Sequence, residues 1–187
     1  MARAGDVIEN PRSGEKITFE QTGAETNGQF LAGKVYLAPH GAGPPEHIHP
    51  RMTERFTVLK GRLTATLAGS RRDFGPDEEL VVSPGTPHRW WNETAEETIL
   101  EYHVSPALPL DRFLENVFAM AHLGYTDTHG LAGPLRMSRI LPQFWDVLHL
   151  ARPPLPVQKA LMFLFGLIAR LLRYPTEYPY PYAGGRS

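Results

Sequence analysis

Four side chains of this sequence have the types and spacing needed to bind a transition metal together. His47 and His49 are two residues apart, and alternate residues of a β-strand face the same side, so both imidazoles can point to one spot. Glu54 follows after a turn at residues 50–53, and His88 comes just after a Pro-Gly turn. Three imidazoles and one carboxylate suit Fe(II), Mn(II), Ni(II), Zn(II), Co(II) or Cu(II). Four protein ligands leave one or two coordination positions open, which is typical of a catalytic metal.

The same residues allow other interpretations. An isolated H-x-H pair is often a surface feature without a function, and Glu54 could act as a base instead of a ligand. We expect four of the histidines outside this pattern to be solvent-exposed or structural residues: His40, His122, His129 and His149.

The spacing of these residues resembles two motifs of the cupin superfamily. The pattern H-x-H-x4-E-x6-G resembles the first motif, and it is formed by His47, His49, Glu54 and Gly61. The second motif, roughly G-x5-P-x-G-x2-H-x3-N, is matched at Gly85, His88 and Asn92. Ser83 and Asp77 stand where that motif usually has proline and glycine, and these departures affect turn geometry rather than ligands. The resemblance covers roughly residues 28–106.

The resemblance implies a fold, a cofactor and an assembly. The fold would be mainly β, an antiparallel jelly-roll β-barrel with one divalent metal inside it, bound by His47, His49, Glu54 and His88. The superfamily contains dioxygenases, isomerases, epimerases, decarboxylases, storage proteins and sensors, so it does not specify the reaction. Dimers are frequent in the family, and we therefore expect a homodimer.

Strand parity predicts which side chains surround the metal. If Glu54 and His88 face inward, so do Phe56 and Trp90, which would form an aromatic wall or simply fill the core. We expect Asn92 to hold a turn. The strand at residues 98–104 has two possible registers. One points Leu100, Tyr102 and Val104 inward and adds Tyr102 to the pocket, whereas the other makes Glu101 and His103 candidate catalytic residues.

Composition and charge exclude several classes of function. The chain has 187 residues, 19 Lys and Arg, 20 Asp and Glu, and a formal net charge of −1, which argues against a general nucleic-acid binder. Cysteine is absent, which excludes disulfide frameworks and thiolate metal sites. We find no apolar signal segment and no apolar run long enough to span a bilayer, so we expect a cytoplasmic protein.

The hydrophobic pattern changes along the chain and predicts three regions. Residues 1–109 form the β-barrel domain, residues 110–174 a C-terminal helical extension, and residues 175–187 a Pro/Tyr-rich tail that is extended over a surface or disordered. Seven short strands are predicted, at residues 15–22, 28–38, 53–61, 61–69, 79–83, 88–92 and 98–104. Gly61 suggests a tight hairpin between the two runs that it joins.

Three helical segments are predicted after residue 109. The first covers residues 110–124, with Asp111 as N-cap and Gly124 as C-terminal cap. The second covers residues 134–151, kinked or split at Pro142, and the third covers residues 156–174. This third segment is apolar on most faces. It could pack against the barrel or a second subunit, lie in a membrane interface, or close the barrel as a lid.

These observations predict a mononuclear metal-dependent enzyme that acts on a small organic molecule, with a dioxygenase-like oxidoreductase as the leading reaction. A metal-dependent isomerase or lyase is one alternative. A non-catalytic module that binds a small ligand or a metal is another, and a membrane-associated accessory protein is a third.

Overall fold

Two antiparallel β-sheets form the framework of the protein. The structure is a computed structural model that describes residues 1–182. The first sheet has six strands in the spatial order β1 (Val7–Asn10), β2 (Glu15–Gln21), β3 (Leu31–Leu37), β10 (Thr98–Ser105), β5 (Thr53–Lys60) and β8 (Glu79–Val82). The second has five strands in the order β11 (His149–Leu150), β4 (His47–Ile48), β9 (His88–Trp91), β6 (Leu63–Leu67) and β7 (Ser70–Phe74). Within the described residues, the recorded strand pairs leave the two sheets as separate sheets.

The seven predicted strands are all present, and four short strands were missed. β1 has four residues, and β4 and β11 have two each, which is too few for a period-two pattern to be recognised in those two strands. β7 was missed because its sequence, SRRDF, is mostly charged and its first four residues are exposed. Charged side chains on such an edge strand discourage pairing with another molecule.

Alternation of buried and exposed residues places one face of each sheet in the core. In β3 every second residue is buried, and β10 shows the same period. The register of β10 is the first of the two predicted: Leu100, Tyr102 and Val104 are buried, and Glu101 and His103 are exposed. Tyr102 lies opposite Phe56 of β5, so the partner strand determines this register.

The prediction of a tight hairpin at Gly61 is wrong. β5 pairs with β8 and β10, whereas β6 pairs with β7 and β9, so the chain passes from one sheet to the other at this glycine. Gly61 has a φ of 81°, and a Cβ there would lie 2.8 Å from the Glu97 carbonyl oxygen. The crossing therefore needs glycine for both its conformation and its space.

The C-terminal region contains three helices, of which two agree with the prediction. α1 spans Leu110–His122 and α3 spans Leu155–Leu171. The predicted helix at residues 134–151 is wrong in its second half: α2 spans Pro134–Ile140, a 3-10 turn follows at Leu141–Gln143, and His149–Leu150 is a strand. Pro142 cannot donate a backbone hydrogen bond, which explains why the helix ends there.

The two predicted caps of α1 have different outcomes. Asp111 is not the N-cap, because Pro109 holds that position and the Asp111 carboxylate instead accepts a hydrogen bond from the Arg112 N–H at 2.7 Å. At the other end Leu123 is the C-cap, and Gly124 follows it with a φ of 72°. That left-handed conformation is the usual glycine termination of a helix.

The Pro/Tyr-rich tail is part of the core as far as residue 182, and residues 183–187 lie outside the described part of the chain. Tyr178, Tyr180 and Tyr182 are only 3%, 7% and 8% exposed. The Tyr178 N–H donates to Asn116 Oδ1 at 2.7 Å, and the Tyr182 hydroxyl donates to the Glu115 carboxylate at 2.8 Å. Residues 175–182 form no helix or strand, and the tyrosines of the tail are buried beside α1 rather than lying over a surface.

Helix α3 packs on one side only. It contacts α2, and Gln158 and Ala169 are its buried residues. The opposite side is exposed and apolar, so packing against the protein accounts for only part of the helix. Among the described residues, the structure has no helix long and apolar enough to cross a membrane.

The buried tail makes a testable contribution to stability. We expect Tyr178→Ala to lower the free energy of unfolding by about 3–5 kcal/mol, because it removes a buried aromatic side chain and leaves a cavity. The matched control, Phe163→Ala, truncates an aromatic side chain that is 67% exposed and should cost less than about 0.5 kcal/mol. Urea denaturation of both variants measures the difference, and equal costs would show that the tail is not packed.

Candidate metal centre

The four predicted ligands come from both sheets and meet between them. β4 pairs with β9 so that His47 lies directly opposite His88, and His49 follows on the same side of the chain. Glu54 comes from β5 of the other sheet. All four side chains are buried, and one ligand atom of each lies within 4.8 Å of the others. The prediction that these side chains converge is confirmed.

Short distances connect the four groups. His47 Nε2 lies 3.1 Å from His49 Nε2. His49 Nε2 lies 3.2 Å from Glu54 Oε1, and His88 Nε2 lies 2.9 Å from Glu54 Oε2. The Nε2 atoms of all three imidazoles therefore face one another and the carboxylate.

Backbone carbonyls orient the three imidazole rings. His47 Nδ1 lies 2.9 Å from the Pro45 oxygen, His49 Nδ1 lies 2.6 Å from the Val147 oxygen, and His88 Nδ1 lies 3.0 Å from the Thr86 oxygen. A carbonyl oxygen can only accept, so we assign the ring proton to Nδ1 in each case. This leaves the Nε2 lone pairs directed at the common centre. The same arrangement orients histidine ligands in metal sites generally.

A cation fits this donor set. Lone pairs and a carboxylate repel one another when they crowd together in a buried space. Within residues 1–182, His88 Nε2 and Glu54 Oε2 are buried without a hydrogen-bond partner, although they lie 2.9 Å apart. That is expected if the His88 proton is on Nδ1. A divalent metal would satisfy both atoms, and the set of three nitrogens and one oxygen suits the first-row metals named above.

The pKa values of His47 and His49 are shifted in opposite directions. Burial lowers the pKa of His47 to about 3, with His88 and His49 adding to the effect. Burial also acts to lower the pKa of His49, but the Glu54 carboxylate outweighs it and leaves that pKa above its usual value. Burial acts to raise the pKa of Glu54, yet the contact with His49 holds it well below its usual range. Without a metal, this pairing therefore favours a protonated His49 beside an ionised Glu54.

A largely apolar cavity of about 410 Å³ opens beside the metal centre. His47, His49 and Glu54 lie in its wall together with Phe56, Trp90 and Tyr102, the three predicted pocket residues. The Phe56 and Trp90 rings are 5.4 Å apart between centroids at 57°. The Tyr102 hydroxyl donates to the Thr18 carbonyl at 3.4 Å, so Tyr102 presents mainly its ring to the cavity.

The C-terminal region supplies a wall of the pocket that the sequence patterns did not reveal. Residues from α1, α2, α3 and the connecting segments line it, among them Phe113, Val117, Met137, Leu148 and Met162. β11 pairs with β4 beside His47, and the preceding Val147 orients His49. Contacts across such distances in the chain leave no local periodic signal.

Glu15 is a further residue of the pocket that the sequence patterns did not indicate. It is the first residue of β2, partly buried, and lines the same cavity as the metal centre. Burial raises the pKa of the Glu15 carboxyl to about 7. Its place in the alternation of β2, two residues before the buried Ile17, was the available signal.

Two residues predicted as catalytic candidates lie outside the pocket. Glu101 and His103 face away from the pocket, because the inward register of β10 is taken by their neighbours. The His103 ring stacks on Phe30 at 4.8 Å. Asn92 holds a turn as expected: its amide donates to the carbonyls of Leu37, Ala38 and Glu96.

The other four histidines outside the motifs have different positions. His40 is exposed. His122 Nε2 lies 3.0 Å from the Tyr180 hydroxyl, and His149 Nδ1 lies 3.0 Å from the Leu150 oxygen, so these two have structural contacts. His129 is exposed but also borders the pocket, a position that the sequence did not indicate.

Comparisons with known proteins agree with this centre. Residues 33–104 match the protein family described as Cupin domain. The putative germin-like protein 3-4 of Oryza sativa subsp. japonica is 34% identical over 105 residues, which are 49% of this chain and 44% of that protein. The polyketide synthase CurC of Streptomyces cyaneus is 34% identical over 64 residues, 34% of this chain and 42% of that protein. The chain spans less than half the length of these curated relatives.

A solved structure was also found to be similar. The RmlC-like cupin from Shewanella frigidimarina has a TM-score of 0.47 and 23% identity, and the match covers 54% of this chain and 84% of that one. The predicted resemblance is confirmed, and the chain contains a cupin domain that includes all four converging side chains.

The centre predicts that metal affinity falls as the pH falls. A metal must displace the proton from His49, whose pKa is raised, whereas His47 stays neutral above about pH 3. The loss should therefore begin above pH 6.5, the ordinary imidazole pKa, and approach about tenfold per pH unit while one proton is displaced. Competition titrations of Zn(II) against a chelator at several pH values measure it.

His103→Gln is the control for this titration, since His103 is exposed and outside the centre. The variant should give the same affinity profile as the original protein. An affinity that stays constant from about pH 8 to about pH 5 would contradict histidine ligation.

Proposed function

We propose that this protein is a mononuclear metal-dependent enzyme that acts on a small, largely apolar organic molecule. His47, His49, Glu54 and His88 would hold one divalent transition metal, within an antiparallel jelly-roll barrel to which both sheets belong. The observation that carries the proposal is the set of three Nδ1–carbonyl contacts, which direct three imidazole nitrogens toward one carboxylate. A dioxygenase-like oxidoreductase is the leading reaction, with Fe(II) as the metal.

Four protein ligands leave positions for a substrate on a metal that accepts five or six. When bound, the metal would supply Lewis acidity toward a substrate oxygen, and iron would add oxygen chemistry. The protein contributes orientation and exclusion of water. The three histidines and Glu54 are nine-tenths or more buried, and His47, His49 and Glu54 line the apolar pocket, so they would hold a metal away from bulk solvent.

The lining of the pocket supports a planar or otherwise apolar substrate. Phe56 and Trp90 offer ring faces and edges next to the centre, and rings prefer offset or tilted partners at such distances. A cavity of about 410 Å³ is in the size range of small-molecule sites. An apolar body in this cavity and an oxygen donor at the metal would define the orientation of the substrate.

Glu15 favours a second candidate function, a metal-dependent isomerase or lyase. A carboxyl with a pKa of about 7 can both accept and donate a proton near neutral pH. Proton transfer of this kind is needed for isomerisation or elimination and is not required for oxygenation. A non-catalytic binding module would need the pocket but no proton transfer at all.

We also propose that residues 1–109, 110–174 and 175–187 are three parts of one functional unit. α1 begins at Leu110, which supports the boundary. The extension nevertheless orients His49 through Val147 and lines the pocket through Met162.

Reconstitution with single metals tests the leading reaction. We expect substrate-dependent oxygen uptake with Fe(II), but not with Zn(II), when planar aromatic compounds are screened with an oxygen electrode. His88→Ala should lower metal affinity at least about a hundredfold, because it removes a ligand rather than a supporting group. Glu101→Gln, an exposed change on β10, should leave metal content and turnover unchanged. If no reconstituted form of the protein takes up oxygen, the oxygenase function is excluded.

The Glu15 carboxyl can be tested separately from the metal. With Zn(II) or Mn(II) bound, we expect exchange of carbon-bound hydrogen for deuterium in a panel of planar ketones, followed by NMR. Glu15→Gln should slow this exchange at least about a hundredfold while metal content stays the same. If exchange is equally fast in both proteins, Glu15 does not transfer the proton.

A further inference from the structure

Helix α3 carries an exposed apolar stripe that no part of the described chain covers. Val157, Leu161, Leu164, Ile168 and Leu171 follow one another at alternating steps of four and three residues, which places them on one face of the helix. Their exposed fractions are 46%, 39%, 56%, 50% and 83%. Residues of this kind are normally buried.

The stripe is part of a wider apolar surface. Phe163, Leu167 and Leu172 flank it and are each more than half exposed. The opposite side of the helix packs on the protein, where Gln158 binds the backbone at Leu150 and Met162 lines the pocket. Soluble monomers rarely expose apolar patches larger than a few hundred Å², and larger patches mark interaction sites.

The segment of the chain that contains α3 is rich in basic residues. Residues 128–176 contain six Lys and Arg and one acid, Asp146, a net charge of +5, although the whole chain has a net charge of −1. The rest of the chain is therefore acidic, and the basic excess is concentrated in the segment that contains α3. Within residues 1–182, no ion pair is recorded for Arg152, Lys159, Arg170 or Arg173, and all four are exposed.

These charges lie beside the apolar surface and not within it. At 100° per residue, Lys159 and Arg170 fall next to Phe163 at its border. Arg173 follows the C-cap residue Leu172, just beyond the end of the helix. A helix of this kind, with an uncharged apolar face and basic residues along its edge, is typical of segments that lie in the plane of a membrane interface.

We propose that α3 docks on an anionic lipid surface, with the apolar face among the acyl chains and Lys159, Arg170 and Arg173 at the headgroups. A second copy of the chain would cover the apolar face, but it would bring a second cluster of unpaired basic side chains to the same interface. Anionic headgroups complement both features, since they attract the basic residues while the apolar side chains leave water.

Vesicle flotation with the full chain tests the proposal. We expect the protein to float with vesicles of phosphatidylcholine and phosphatidylglycerol, and much less with phosphatidylcholine alone. Binding should weaken with salt, because the screening length falls from about 10 Å at 0.1 M to about 3 Å at 1 M. Replacing Arg170 and Arg173 by Gln should lower the partition coefficient about fivefold per residue.

Two further variants separate the apolar face from the rest of the surface. The double variant Leu164→Asp with Ile168→Asp should abolish flotation, and it should keep the thermal unfolding of the original protein because both side chains are half exposed or more. Leu123→Asp is the matched control, a leucine 52% exposed at the end of α1 and outside α3, and it should float normally.

Three results would overturn the proposal. One is the absence of flotation by the original protein, and another is flotation that survives in the α3 double variant. The third is a dimer in light scattering that dissociates in that variant while vesicles do not bind, which would assign the face to a second copy.

Discussion

The site depends on three hydrogen bonds that fix the orientation of the imidazole rings. Two are local, since His47 and His88 each contact the carbonyl oxygen two residues before them. The third joins His49 to Val147, 98 residues further along the chain. Each bond places the ring proton on Nδ1 and leaves Nε2 to face the centre. If one ring turned over, an N–H would point where a metal ligand is needed.

The distant third bond makes the C-terminal region part of the site. Val147 leads directly into β11, which pairs with β4 beside His47. Gln158 of α3 then holds β11 from the other side by bonding the backbone of Leu150. The cupin domain alone therefore contains the four converging side chains, but one of them takes its orientation from outside the matched residues 33–104.

Helix α3 has one face at the pocket and the other at the protein surface. Its inner face reaches the apolar pocket through Met162, and its outer face carries the exposed apolar stripe with basic residues at the border. The pocket in turn has its polar groups in few places, chiefly the metal centre and Glu15, within a lining of aromatic and aliphatic side chains. This distribution orients a ligand by its polar atoms and leaves its body to apolar contacts.

The sequence alone determined the features that depend on local spacing. His47 and His49 share a side because strands repeat every two residues, and Phe56 and Trp90 follow from Glu54 and His88 by the same parity. Three features required the tertiary structure: the register of β10, the sheet crossing at Gly61, and the approach of Glu15 and Val147 to the centre. A period-two pattern in the sequence separates the two faces of a strand but does not show which face is buried. Only the partner strand and the packing of distant segments decide which face is buried and which groups meet there.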